Sequence, residues 1–215
     1  MRSVTTTVGP LAAASANNIC LSQTPTSALT INGALATGGV ATLDVARRVL
    51  ITTTANESAK TFTIVGTDAT GQPQTDVVTG PNATTGYSAL DFKTVTSITI
   101  SSAAAGALTV GTNTIASSPW IRIDNYADSQ VAIGTYVTGT VNYTIQQAFF
   151  DPNSTQFTIS PYQVPWINST DSGAVNQTGN IATSFSISPM WVWVLLNSGS
   201  GTVTASIIQY GMVSY

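Results

Sequence analysis

The stretch Thr61-Phe62-Thr63-Ile64-Val65-Gly66-Thr67-Asp68-Ala69-Thr70-Gly71-Gln72-Pro73-Gln74-Thr75-Asp76-Val77-Val78-Thr79 decides the fold class. Its first seven residues alternate, with Phe62 and Ile64 on one face and threonines between them. A period of two is the mark of a half-buried strand. Asp68-Ala69-Thr70-Gly71-Gln72 has the chemistry of a hairpin loop, and Pro73 stops any helix. Gln74 to Thr79 then pairs back.

The same texture extends in both directions. Ala28–Asn32 alternates and ends at Gly33. Val40–Val45 alternates and runs through Arg47-Arg48 into Val49–Thr53. Asp91–Val95, Ser97–Ser101 and Ala107–Gly111 follow. Beyond Pro119 come Trp120–Asp124, Gln130–Tyr136, Gly139–Gln147, Gln156–Ile159, Met190–Leu196 and Thr202–Tyr210. Asn197-Ser198-Gly199-Ser200-Gly201 reads as a hairpin between the last two. Short strands at regular spacing with turn residues between them predict an all-β, antiparallel β-sandwich or jelly-roll-like fold. No helix is expected; the β-branched residues of Leu43–Ile51 argue against the one helical turn that could be drawn there.

Composition agrees. Apolar residues make up 43% of the 215, enough for a core, whereas charged residues make up only 7%. An ordinary soluble domain carries about 25%. Thr, Ser, Asn, Gln and Gly take the place of charge, which suits pleated surfaces and tight turns. All six basic residues precede residue 123, and no charged side chain follows Asp171. Surface charge normally keeps a monomer soluble, so part of this neutral surface is expected to be covered by neighbours. Ser, Thr and Asn as sufficient solvating groups are the plainer alternative.

The texture also changes along the chain. All four tryptophans, Trp120, Trp166, Trp191 and Trp193, follow Ser117-Ser118-Pro119. This predicts an extended N-terminal arm over 1–27, a β-sandwich over 28–118 and a second, aromatic-rich β-sandwich over 119–215. The arm is expected to lie along a neighbour. The long segment from about 160 to 182 reads as a loop that is either functional or ordered by a neighbour.

Catalysis finds little support. With no histidine, His-based triads, Cys-His nucleophiles and histidine metal sites are excluded. No phosphate-binding loop is present. Nine carboxylates are available, yet no spacing pairs two of them for glycoside hydrolysis, and Asp68, Asp151 and Asp171 read as turn residues. Asp124-Asn125-Tyr126-Ala127-Asp128 lacks the acidic density and the glycine of a calcium loop. No catalytic residue, metal or cofactor is therefore expected. The net charge of −3 and the absence of a basic cluster argue against nucleic acid. Met190–Leu196, the longest apolar run, is far short of the roughly 20 residues that cross a bilayer, so no membrane is expected. The N-terminus lacks the apolar core of a secretory signal. Cys20 is the only cysteine and reads as a small buried thiol, an interchain bridge being the alternative.

Trp191-Val192-Trp193 puts two indoles on one strand face. Such a pair can bind sugar rings, and more often it fills a core or an oligomer interface. Trp166, Trp191, Trp193, Tyr210 and Tyr215 are the candidate oligomer or partner contacts.

Gly39–Thr114 resembles the N-terminal module of small structural proteins of tailed bacteriophages. The residues that carry the likeness are Ala46–Thr53, Asn56–Asp68, Thr79-Gly80-Pro81-Asn82 and Phe92–Ile98. Trp120-Ile121, Thr138–Ile145, Gly201–Ala205 and Ile208–Gly211 continue it. The resemblance implies a non-enzymatic virion component assembled in the host cytoplasm. The leading expectation is a capsid decoration or cement protein that binds the major capsid protein and forms a homo-oligomer, a trimer being favoured. A head fibre, collar or tail component is the alternative, and a carbohydrate-binding module is the third.

Overall fold

A computed structural model describes residues 2–123, 131–150, 165–185 and 187–209. It is almost entirely antiparallel β structure, with no α-helix among the described residues. The strands are β1 (Arg2–Val8), β2 (Ser15–Gln23), β3 (Ala36–Thr37), β4 (Val40–Thr53), β5 (Thr61–Thr67), β6 (Pro73–Thr79), β7 (Thr85–Ile100) and β8 (Leu108–Ser117). They continue as β9 (Ile121–Arg122), β10 (Val131–Thr138), β11 (Val141–Ala148), β12 (Ile167–Asn168), β13 (Ala182–Phe185), β14 (Trp191–Gly199) and β15 (Thr202–Gln209). No helix among the described residues is long and apolar enough to cross a membrane.

The chain divides into two compact units. Ala12–Ile115 forms an inserted unit. Met1–Leu11 and Ala116–Tyr215 together form a terminal unit.

In the inserted unit the strand order is β8-β4-β7-β5-β6, with β2 beside β8 and β3 beside β4. The β5–β6 hairpin forms as expected, its register running from Thr61↔Thr79 to Thr67↔Pro73. Asp68 closes its loop by accepting hydrogen bonds from the Thr70 and Gln72 amides. Phe62 and Ile64 are fully buried, in one cluster with Ile51, Phe92, Ile98 and Val110. Asp91–Val95 and Ser97–Ser101, expected as two strands, lie almost entirely on the single long β7, which pairs with β4 on one side and β5 on the other. The β4–β7 register shifts between Arg48 and Leu50. There the buried Ser88 hydroxyl accepts from the Val49 amide and donates to Leu90 O, taking the place of a ladder bond.

Ala28–Asn32, expected as a strand, forms only an isolated bridge, Ala28↔Thr99, and otherwise lies outside any ladder. At Thr30 a side chain takes the place of a ladder, Gln23 accepting from the Thr30 amide and donating to Thr30 O, while Leu29 N and Asn32 N donate to Ile98 O and Ile19 O. The expected arm over 1–27 is absorbed into both units. Residues 2–8 are β1, and 15–23 are β2. The physical reason is alternation: Val4, Thr6 and Val8 of β1 all turn inward, Val8 completely.

In the terminal unit, β10 pairs with β15 and β11 pairs with β14. The four strands are one antiparallel ribbon folded over on itself. The fold line passes through Thr138–Val141 and Gly199–Thr202. The expected hairpin at 197–201 is thus a corner, since β14 and β15 enter different sheets. Gly199 takes φ +109 there, and a Cβ on it would sit 2.3 Å from Thr140 O. No other residue fits that backbone approach. Beyond the corner, β1-β15-β10-β13 forms one sheet and β12-β11-β14 another, with β9 and the last residues of β8 alongside β14. Val131, Ile133, Tyr143, Ile145, Val194, Leu196, Val203 and Ile207 fill the space between. The Tyr143 hydroxyl lies 2.6 Å from Thr135 Oγ1 and donates to Gly179 O. The expected strand Gln156–Ile159 and residue Tyr210 lie outside the described residues.

Three outcomes are expected. Gly199→Ala lowers stability by at least about 2 kcal/mol in thermal unfolding, whereas Gly134→Ala, where a Cβ meets nothing within 4 Å, changes it by less than about 0.5 kcal/mol. Buried Glu57 suffers desolvation, which raises its pKa. Lys60 and the Ala105 and Gly106 amides outweigh this and hold it below the ordinary carboxylate value. A depressed folded pKa contributes stability above the unfolded pKa that is lost as pH falls through the folded one. Glu57→Gln therefore flattens the acid side of the stability profile between those two values. Burial pushes the Cys20 thiol up to about 12, so a thiol reagent at neutral pH labels it only after denaturant unfolds the inserted unit.

Candidate functional site

Alternation along β14 sends Val192, Val194 and Leu196 into the core of the terminal unit. Trp191 and Trp193 therefore share the opposite face, both half-buried. On the neighbouring strands Trp193 lies opposite Gln146, and Trp191 lies between Ala148 and Arg122. Trp166 immediately precedes β12, and Trp120 immediately precedes β9.

These four indoles form one continuous cluster. Trp166 stacks on Trp193 at 4.3 Å between centroids and an interplanar angle of 14°. Trp120 meets Trp166 edge to face at 5.6 Å and Trp191 at 5.7 Å. The Arg122 guanidinium lies 5.9 Å over the Trp191 ring. Offset stacks and edge-to-face pairs match the quadrupole of the indole ring, each contributing about 0.5–1.5 kcal/mol beyond area burial. An amide relay flanks the cluster. Trp193 Nε1 donates to Gln146 Oε1 at 2.8 Å, and Gln146 Nε2 donates to Asn168 Oδ1 at 2.9 Å.

The structure thus brings together Trp166, Trp191 and Trp193. Tyr210 and Tyr215, the other two predicted contacts, lie outside the described residues. Sequence reasoning did not include Trp120, Arg122, Gln146 or Asn168. The first two carried a usable signal, because Trp120 and Arg122 are two residues apart in a predicted strand and so share a face. Gln146 and Asn168 carried none, since their place depends on the β11–β14 and β11–β12 registers.

The charged side chains of the inserted unit make a different pattern. Arg47, 1% exposed, donates to Ala12 O and Asn113 O and pairs with Asp44 at 3.2 Å. Arg48 lies 3.6 Å from Asp91, and its guanidinium lies over Tyr87. Lys60 pairs with Glu57 and donates to Ala103 O. Lys93 donates to Leu43 O and Asp44 O. Asp76 accepts from the Ala89 and Leu90 amides. Together with Asp68 in its loop, every charged side chain of this unit has a partner inside it. In the terminal unit, Asp171 borders an open polar hollow of about 630 Å³ lined also by Thr170, Ala182, Thr183 and Ser184. Its carboxylate accepts from the Thr183 hydroxyl and the Gly173 amide, which hold its pKa below the ordinary value. No group of three or more potential metal ligands occurs among the described residues.

Trp166 carries two of the three aromatic contacts. Trp166→Ala is expected to lower the stability of the terminal unit by about 1–3 kcal/mol and to collapse the near-ultraviolet circular dichroism of the coupled indoles. An unchanged spectrum would mean that the rings do not associate. In comparisons with known proteins, no family model matches the chain and no curated protein matches it.

Proposed function

We propose that this chain is a non-enzymatic structural component of a tailed-bacteriophage particle: a capsid decoration protein that binds the major capsid protein and associates with copies of itself. The observation that carries the reading is the half-buried four-tryptophan cluster, a large aromatic surface of the kind that anchors protein interfaces. It lies in a unit whose only charged side chains among the described residues are Arg122 and Asp171, Arg2 aside. The sequence likeness over Gly39–Thr114 supplies the virion context.

The ring geometry favours a protein partner over a glycan. A sugar ring needs an open indole face. Trp166 already has Trp193 stacked on it and Trp120 against it, and Arg122 lies over Trp191.

Copy number on purified particles tests the proposal. Hundreds of copies per particle are expected for decoration, whereas a dozen or fewer would assign the chain to the collar, tail or head fibre. In solution, light scattering is expected to give an oligomer, and a clean monomer at high concentration would overturn self-association. Calorimetric titration with host polysaccharide is expected to show no heat of binding at millimolar sugar.

A further inference from the structure

The sheet β1-β15-β10-β13 of the terminal unit ends on β13, which is four residues long and pairs with β10 alone. The bonding at its start fixes which way its backbone points. Thr135 N donates to Ile181 O at 2.9 Å, and Ile181 N donates to the Thr135 hydroxyl. Residues 181, 183 and 185 therefore turn their amides and carbonyls toward β10. Ala182 and Ser184 hold the alternate positions and turn theirs to the outer edge. Both are exposed, and none of these four backbone groups has a partner within the described residues.

The outermost strand of the inserted unit is treated differently. Side chains close the edge of β6: Asp76 accepts from the Ala89 and Leu90 amides of β7, and Gln74 donates to Asp91 O. Such sealing is a usual protection of a strand edge. At β13 it is missing among the described residues.

The free edge borders the open polar hollow of about 630 Å³, lined by Ala182, Thr183 and Ser184 together with Thr170 and Asp171. Asp171 is the only acidic side chain of the terminal unit among the described residues. Its Oδ1 accepts from the Gly173 amide and its Oδ2 from the Thr183 hydroxyl. Those bonds favour the ionised carboxylate. They use about half of its four acceptor sites, and neither comes from the amide of Ala182 or Ser184. The carboxylate thus lies beside the edge without capping it.

Two features meet in this slot: backbone groups set for strand pairing and a lone negative charge. A strand added to a sheet edge draws affinity from main-chain bonds and selectivity from what surrounds its side chains. Here the surroundings favour a cation, and an acidic side chain would meet a like charge. The chain's own basic residues are placed elsewhere. Arg47, Arg48, Lys60 and Lys93 are engaged within the inserted unit, Arg122 lies over Trp191, and Arg2 belongs to the β1 ladder.

We infer that the outer edge of β13 is a strand-acceptor site for a different protein, whose extended segment adds as a fifth strand with a Lys or Arg beside Asp171. The site lies on the other sheet from the tryptophan cluster. It does not rest on the particle reading, which copy number tests separately.

The test titrates the full-length protein, isotope-labelled at alanine and serine, with the capped peptide Thr-Val-Lys-Val-Thr and separately with Thr-Val-Glu-Val-Thr. The Ala182 and Ser184 amide signals are expected to move at millimolar lysine peptide, and the glutamate peptide is expected to bind about three- to fivefold more weakly. Asp171→Asn removes the charge and keeps a side chain able to bond Gly173 and Thr183. It is expected to bring the two peptides to equal affinity. Ser184→Pro deletes an outward amide that no ladder bond uses, a change an edge strand tolerates. It is expected to abolish the movement of the Ala182 signal. Signals that stay still with both peptides, or binding unaffected by Ser184→Pro, would overturn the site. Equal affinities in the unsubstituted protein, or a lysine preference that survives Asp171→Asn, would overturn the basic partner.

Discussion

The terminal unit depends on backbone passing close to backbone at one corner. Ser200 N and Gly201 N both donate to Thr140 O. Gly139 approaches the Gly201 backbone so closely that a Cβ on Gly139 would sit 3.1 Å from Gly201 Cα. That contact lets a single long ribbon, residues 131–148 against 191–209, turn back on itself and become two facing layers. The alternation of β10, β11, β14 and β15 then puts every inward residue into the same core. It leaves Trp191 and Trp193 on an outward face, where Trp120 and Trp166 can join them. The aromatic cluster is thus a consequence of the fold line rather than a separate device.

The inserted unit solves a different problem. A chain with so few charges could place them all in solvent, yet this one places Arg47 and Glu57 almost wholly inside. Burying a charge is costly unless it is paired and hydrogen-bonded, and breaking one partner of such a pair is strongly destabilising. Both conditions are met at Arg47, whose acceptors lie at the two places where the chain leaves the unit, Ala12 and Asn113. Charge works here as internal stapling. The outward surface is left mainly to uncharged groups, the exposed Leu21, Val77 and Tyr87 among them, with little long-range field to repel a like neighbour.

Much of this was legible from residues alone. The Phe62/Ile64 alternation, the Asp68 loop and Pro73 pointed to a hairpin that the structure contains, because all of its determinants are local. Gly199 and Gly201 were equally clear as turn residues. Their partner was not, since a glycine-rich turn between two strands looks the same whether the strands pair or part. The N-terminal segment read as an arm because Ser3–Thr7 is short and polar on one face, and its mate lies some two hundred residues away. Trp166, Trp191 and Trp193 were visible as candidates by type. That Trp166 stacks on Trp193, and that Trp120 joins Trp191 to this pair, depends on registers of β9, β11, β12 and β14 that no local pattern encodes.

The gathering of the tryptophans also divides the molecule optically. All four lie in the terminal unit, and the inserted unit contains a single tyrosine, Tyr87, and no tryptophan. Intrinsic emission excited at the red edge therefore follows the terminal unit alone. The loss of backbone β signal follows both units together. The difference between the two traces gives the order in which the units melt, with no label attached to the chain.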